Sequence, residues 1–166
     1  MFERQLRSTG GRAAVGRLAI LAPLALALSA SATSCHRKES NVLVDTVDAK
    51  FHVGERWSYR TRPGEEASTL TIVKVEASSA LGVVVHVSVA GLHIRSPGAP
   101  NGFTGTISHM PFAKSAVEKS VTTLAAKSVP LPAFEDGYAE WRKAKGGVLT
   151  SSVAEAVAFI ETTINQ

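Results

Sequence analysis

The strongest constraint on the fold is an alternation of apolar and polar residues in the middle of the chain. Residues 83–90 read VVVHVSVA, so that valine occupies every odd position while His86 and Ser88 fall on even ones. Residues 51–61 alternate in the same way, with Trp57 on the apolar parity. Such alternation is typical of β-strands that bury one face.

Two glycine positions indicate how these strands are connected and shaped. Pro63 fixes φ at one turn position and Gly64 accepts a positive φ at the next, which predicts a turn leading into a strand at residues 68–76. After Gly91 the apolar parity switches, which predicts a β-bulge there. A short edge strand is predicted near residues 103–110. The sheet is therefore expected to be built from antiparallel hairpins.

Helical spacing replaces alternation in the last third of the chain. A first helix is predicted from Pro111 through Ala125, because apolar residues recur there every three or four positions. A second is predicted at residues 133–145, and a third begins near Ser152, with Glu155 as the partner in a capping box. The sequence predicts an α+β fold, in which an antiparallel β-hairpin sheet precedes two or three C-terminal helices packed on one face.

The N-terminal segment has the pattern of an export signal. Four arginines precede an apolar run, LAILAPLALAL, that is too short to span a bilayer comfortably, and small residues then lead to the only cysteine, Cys35. Ala32-Thr33-Ser34-Cys35 resembles a bacterial lipobox, although the pattern usually has leucine where Ala32 stands. The alternatives are cleavage before Thr33 by ordinary signal peptidase and an uncleaved anchor. An internal disulfide is impossible, and lipidation would account for the lone thiol.

These signals divide the chain into three predicted regions. Residues 1–34 form the signal peptide, residues 35–50 the lipidated cysteine and its tether, and residues 51–166 a single α+β domain. The protein is expected to be exported and membrane-anchored on the periplasmic side through an N-terminal lipid. It would be soluble in the periplasm if the chain were cleaved before Thr33.

The charge of the chain belongs mostly to the signal region. The whole sequence has 18 basic and 14 acidic residues, but the first 34 residues hold four arginines and only one acid, Glu3. The remaining 14 basic and 13 acidic residues nearly cancel. A nucleic-acid partner is therefore not expected, because binding a phosphate backbone needs a concentrated positive surface.

No familiar catalytic pattern occurs in the sequence. It lacks the spacings of nucleophile elbows, zinc proteases and nucleotide-binding loops, and one cysteine excludes paired-cysteine sites. The sequence predicts no catalytic residue, no metal site and no cofactor. The candidate binding residues are Arg56, Arg60, His86 and His93. The arginines would form an anion-binding patch or pair with acids across strands, and the histidines would be ligand contacts or solvated strand residues.

We therefore expect a bacterial lipoprotein with a non-enzymatic envelope domain that binds a small ligand or an envelope protein. Its binding region would combine residues 96–105, a long loop rich in glycine and proline, with the sheet surface near Arg56 and Arg60. The alternative is an exported hydrolase that uses His86, His93 or His109 with a carboxylate. A third hypothesis is a cytoplasmic protein that acquired an export signal by fusion.

Several stretches together resemble a group of small bacterial proteins of uncharacterised function. They read TRPGEEASTLTIVKVE, GVVVHVSVAGLHI, HMPF, GYAEWR and GGVLTSSVAEAV. The resemblance covers the chain from about residue 51 onward. It implies one compact, self-contained domain and supplies no activity, cofactor or functional residue.

Overall fold

A computed structural model describes residues 42–166 of the chain. Cys35 and the predicted signal peptide lie outside this range. The described part has six strands and three helices: β1 Val44–Asp45, β2 Arg56–Tyr59, β3 Thr69–Ser78, β4 Gly82–Arg95, β5 Phe103–Ala113, α1 Lys114–Ser120, β6 Val121–Ala126, α2 Glu135–Lys143 and α3 Val153–Ile164. The six strands form one sheet in the order β5-β4-β3-β2-β6, and the short β1 pairs with the end of β3. All strand pairs are antiparallel.

One face of the sheet carries the hydrophobic core. Alternate residues of β3, β4 and β5 point into it, and α1 and α3 cover them. The sheet contributes Leu70, Ile72, Val75, Val85, Val87, Val89, Met110 and Phe112, and the helices contribute Ala116, Val117, Val153, Ala156 and Val157. Burying each large aliphatic side chain stabilises the fold by about 1.5–3 kcal/mol, so this face supplies most of the cohesion.

Helix α2 packs against the other face of the sheet. His86 alternates with core valines along β4 and so points away from the core, where its ring meets Tyr138 and Trp141 of α2. The predicted α+β class, an antiparallel sheet with C-terminal helices, is confirmed. The structure differs from the prediction in its layering, because helices cover both faces.

Residues 121–126 form strand β6, so the prediction of a helix continuing through Ala125 is wrong. The helix α1 ends at Ser120, whose hydroxyl bonds back to the Ala116 carbonyl and also accepts the N–H of Val153. Extended backbone then starts at Val121, and β6 pairs with the free edge of β2. Strand pairing at this edge outweighs the helical spacing of the apolar residues.

Pro111 lies inside strand β5 and does not begin the first helix. Strand β5 is at the edge of the sheet, and the outward-facing carbonyl of Pro111 accepts a hydrogen bond from Leu149. A residue's N and C=O point to the same side of a strand, so the missing N–H of this proline removes no bond to β4. Proline is tolerated in edge strands for this reason.

The predictions that depend on the backbone of one or two neighbouring residues are confirmed. Gly64 and Gly91 have φ values of 84° and 79°, and the pairing of β4 with β5 shifts register between Ala90 and Ile94. A Cβ atom at Gly91 would lie 3.0 Å from the Cα of Ser68, so a side chain does not fit. The predicted capping box at Ser152 is present at the start of α3.

The sheet begins within the segment that the sequence assigns to the tether. Strand β1, Val44–Asp45, pairs with Ala77 and Glu76 of β3. Its backbone continues the contact, since the N–H of Thr46 donates to the Val75 carbonyl at 3.1 Å. Among residues 42–166, no helix has the length and apolar character needed to cross a membrane.

Candidate functional site

The face of the sheet beneath α2 carries buried polar side chains instead of an apolar layer. Glu76, His86 and Ser88 are each less than 5% exposed, and Thr71 is 7% exposed. Burying polar groups costs free energy unless they find partners, so a face built this way is a strong candidate for a functional site. Two features occupy it: a cluster of ionisable side chains and an open groove.

The ionisable cluster is formed by Glu76, His86, His109 and Tyr138. The Nδ1 atom of His86 lies 2.9 Å from the Nε2 atom of His109, so one ring donates a hydrogen bond to the other. The hydroxyl of Tyr138 donates to the Oε1 atom of Glu76 at 2.9 Å. The Oε2 atom of Glu76 is 3.1 Å from the Nε2 atom of His86, but the two atoms are out of line for a hydrogen bond. The cluster therefore links a carboxylate to two imidazoles in series.

Two cations lie beside the carboxylate of this cluster. The Nζ atom of Lys74 is 3.8 Å from the Oε1 atom of Glu76, and an Nη atom of Arg142 is 3.9 Å from it. Lys74 also forms an ion pair with Asp45 of strand β1. Two positive groups thus share the single negative charge of Glu76. Their presence weakens the electrostatic stabilisation that Glu76 would give to a protonated His86.

Both histidines of the cluster are held in the neutral form near pH 7. Burial, together with the neighbouring His109, Lys74 and Arg142, lowers the pKa of His86 to about 3. Burial also lowers the pKa of His109 to about 4. The pKa of Tyr138 rises to about 12, because its hydroxyl is buried and donates to Glu76.

Aromatic rings of α2 close the cluster from above. The ring centroids of Tyr138 and Trp141 lie 5.4 Å and 5.0 Å from that of His86, both edge-on. Gly137 permits this approach, because a Cβ atom there would come within 2.9 Å of the Cβ atom of His109. The Nε1 atom of Trp141 donates to the Gly147 carbonyl, which fixes the ring.

The open groove lies further along the same face and has a volume of about 530 Å³. Its floor is polar, with hydroxyls from three strands, and one wall is the apolar segment 130–132, Pro-Leu-Pro. Arg56 stands at the side and forms no ion pair with any residue in 42–166. The floor residues are Thr69, Thr71, Ser88, Ala90, Gly91 and Thr106. A groove of this size suits a small organic ligand.

A second cleft, of about 350 Å³, lies at the C-terminal end of α2. Its apolar walls are Leu43, Leu81 and Trp141, and its charged groups are Arg142 and Lys145. The ring of Trp141 separates this cleft from the buried histidines. None of the three clefts described here has His86 or His109 in its walls.

The remaining candidate residues of the sequence analysis lie elsewhere. His93 borders a third cleft, of about 280 Å³, and its ring stacks on Phe103 with a centroid distance of 4.1 Å. His93 lies seven positions along β4 from His86, or about 23 Å, so the two do not form one site. Arg60 follows β2, where its N–H donates to the Ser120 carbonyl, and it lines none of the three clefts.

An ion-pair network lines the cleft beside His93 and connects α3 to the sheet. Arg62 binds both Glu65 and Glu161, at 2.6 Å and 2.5 Å. Glu65 also accepts the N–H of His93, and Glu161 that of Arg95. These bonds raise the pKa of Arg62 and lower the pKa of Glu65 and of Glu161. With its charges satisfied internally, this cleft has a structural role.

Sequence reasoning identified Arg56 and His86 but missed the partners that surround His86. Glu76 and Lys74 are not among the residues predicted for the site, and neither are Tyr138 and Trp141. The sequence offers one signal for this cluster. Lys74, Glu76 and His86 are polar residues at even-numbered positions in strands that are otherwise largely apolar. No group of three or more His, Cys, Asp and Glu side chains in residues 42–166 is arranged to hold a metal ion.

Comparisons of the chain with protein-family models, curated proteins and solved structures found no match. The resemblance to a group of small bacterial proteins therefore stays a prediction, and function has to be argued from the site.

Proposed function

We propose that the protein is an exported lipoprotein, anchored through Cys35, whose folded part is a non-enzymatic binding module. The observation that carries the binding role is the groove on the α2 face, with the unpaired Arg56 at its side and hydroxyls on its floor. A surface cation without an ion-pair partner in the described chain is available to a ligand. The expected ligand is a small anion with an apolar part.

The chemistry of the groove supports this ligand class. The Arg56 guanidinium can donate two parallel hydrogen bonds to a carboxylate or phosphate. The hydroxyls of Thr69 and Thr106 can donate to further oxygens, and Leu131, which is 45% exposed, offers an apolar surface. Such a mixture of one charge, several hydroxyls and an apolar wall is typical of small-molecule sites.

Native mass spectrometry of the mature protein purified from the bacterial envelope tests the binding role. We expect a population with the added mass of a small molecule. Ala90→Phe should fill the groove and Arg56→Gln should remove its cation, so both variants should lose the added mass. Arg60→Gln, a matched surface arginine outside the groove, should retain it. An unmodified mass for the wild type, or equal retention in Ala90→Phe, contradicts the proposal.

Mass spectrometry of the N-terminal peptide tests the anchor separately. We expect a mature chain that begins at Cys35 and carries a diacylglyceryl group, and a chain that keeps its signal peptide when cells are treated with a lipoprotein signal peptidase inhibitor. Cys35→Ser should abolish the modification. A mature chain that begins at Thr33 and carries no acyl group contradicts the lipoprotein assignment and leaves the binding role open.

A second candidate function, hydrolysis, is favoured by the series Glu76–His86–His109. An ionised carboxylate only accepts protons, so the proton of neutral His86 is best placed on Nε2, facing Glu76. His86 then accepts from the Nε2–H of His109, which leaves the Nδ1 atom of His109 as a base. This is the order of groups that orients a general base.

Assays of the purified protein on ester, amide and phosphoester substrates distinguish the two functions. A binding module gives no turnover above that of His109→Gln. Turnover that His109→Gln abolishes, while its unfolding transition stays cooperative, would favour the hydrolase and count against the leading proposal.

A further inference from the structure

We propose that the cleft at the end of α2 binds the anionic headgroup of a phospholipid in the membrane that carries the anchor. The inference rests on the proposed lipoprotein function and names the surface through which the folded part meets the bilayer. It concerns the cleft of Leu43, Leu81, Trp141, Arg142 and Lys145, which is distinct from the groove at Arg56.

The side chains of the cleft combine the two chemistries of a membrane interface. Arg142 and Lys145 supply positive charge, and Trp141, Leu43 and Leu81 supply an apolar surface below it. Tryptophan is enriched at the headgroup level because its ring is apolar while its N–H is polar, and basic residues there attract anionic lipid. An isolated soluble anion would have no need of the apolar walls.

The basic residues at the cleft outnumber the acids of the described chain that lie near them. Lys145 forms no ion pair among residues 42–166, and the side chain of Arg142 is 45% exposed although it lies 3.9 Å from Glu76. The nearby acids already have partners. Asp45 binds Lys74, and Glu140 lies 3.6 Å from Lys143. The local field at the cleft is therefore positive, as a phosphate-bearing headgroup requires.

The position of the anchor along the chain brings this cleft to the bilayer. Leu43, in the wall of the cleft, is eight residues from Cys35, and that length of chain spans at most about 28 Å when fully extended. The opposite end of β4 is much further away, because its 14 residues extend over about 45 Å.

The occupant is the headgroup of a bilayer lipid and not a free phosphate ion, because the anchor supplies lipid at high local concentration. Chain tethering converts binding into an intramolecular event, so a weak site of two charges suffices. The same site on an untethered chain would be occupied far less.

Site-specific fluorescence of the acylated full-length mature protein in vesicles tests the inference. Cys35 is the only cysteine and is blocked by acylation, so a new cysteine accepts a polarity-sensitive dye at one position. Ala144→Cys places the dye beside the cleft, and Asn101→Cys places it at the far end of the β4–β5 hairpin. Vesicles of phosphatidylcholine alone are compared with vesicles containing about one third phosphatidylglycerol, each with a nitroxide-bearing headgroup lipid as quencher.

We expect the dye at position 144 to be quenched at least about twofold more in the anionic vesicles, with the difference lost near 1 M salt. The dye at position 101 should be insensitive to lipid composition. Lys145→Asn, which tolerates the φ of 50° at that position, should reduce the quenching, and Lys127→Asn should not. Equal quenching at positions 144 and 101, or no dependence on lipid charge, would overturn the inference.

The experiment distinguishes a chain that lacks the lipid anchor from a chain whose cleft does not bind a headgroup. If Cys35 is not acylated, it also reacts with the dye, and the mass of the protein shows two labels in place of one. The proposed lipoprotein function then fails before any vesicle is added. One label with no lipid dependence at position 144 refutes the headgroup site alone.

Discussion

Mild acid is expected to destabilise the fold through the two buried histidines. His86 is completely buried and His109 partly so, and both stay neutral in the folded state because burial lowers the pKa of each, to about 3 and about 4. In the unfolded chain a histidine has a pKa near 6.5. At pH values between the folded and the unfolded pKa, the unfolded state binds protons that the folded state does not bind. The free energy of unfolding therefore falls as the pH falls.

The size of this loss follows from the two pKa differences. Each proton taken up only on unfolding changes the free energy of unfolding by about 1.4 kcal/mol per pH unit. Because protonation in the unfolded chain is half complete near its pKa, the two histidines together remove about 3 kcal/mol between about pH 6.5 and 5. The buried carboxylates Asp48, Glu55 and Glu65 have lowered pKa values and act mainly below this window.

Urea unfolding followed by tryptophan fluorescence at several pH values measures the effect. The wild type should lose stability steeply below about pH 6.5, and the double variant His86→Gln, His109→Gln should show a nearly flat profile in the same window. His93→Gln, at the exposed histidine outside the cluster, should leave the slope unchanged. A wild-type stability that is equal at both ends of the window, or a double variant as acid-sensitive as the wild type, refutes the reasoning.

Three substitutions test the packing of the helices, each by the free energy of unfolding in urea. Gly137→Ala should destabilise by about 1–3 kcal/mol despite its better helix propensity, because the new methyl group meets the Cβ atom of His109 at 2.9 Å. Tyr138→Phe should cost about 1–2 kcal/mol, since the buried carboxylate of Glu76 loses a donor. Ser152→Ala should cost about 1 kcal/mol by removing the cap of α3.

Matched control variants show whether these losses of stability come from the contacts described or from a general sensitivity of α2 and α3 to substitution. Ala139→Gly, on the exposed side of α2, should lose only the helix propensity of about 1 kcal/mol. Ser151→Ala, at the exposed position before the cap, should change little. A stabilising Gly137→Ala, or a Ser151→Ala as damaging as Ser152→Ala, would contradict the contacts described.

The features that could be predicted from the sequence are those that neighbouring residues decide. The capping box needs only Ser152 and Glu155, three positions apart, and the bulge at Gly91 needs only a backbone that accepts positive φ. Strand β6 could not be predicted in this way. Its helical spacing is real, but pairing with β2, more than 60 residues earlier in the chain, fixes it as a strand.

The ionisable cluster was missed because its geometry depends on irregular strand pairing. Strict alternation from Leu70 and Ile72 would place Lys74 and Glu76 in the hydrophobic core. The register of β3 against β4 shifts between Ile72 and Lys74, so one extra residue turns the following positions over. Val75 then faces the core in place of the charged residues. The charges of Lys74 and Glu76 signal that the parity changes in β3, but they do not show at which residue it changes.

The two faces of the sheet differ in how their helices are held. One carries the hydrophobic core, and the other carries the polar cluster beneath α2. Helices α1 and α3 bury apolar residues in the core, whereas α2 has no buried residue. Its attachment depends on the hydrogen bond from Tyr138 to Glu76 and on ring contacts with His86 and His109. Protonating the histidines weakens those contacts and leaves the core untouched, so α2 is the element that acid should release first. Since Trp141 borders both the histidines and the proposed headgroup cleft, release of α2 would also dismantle that cleft.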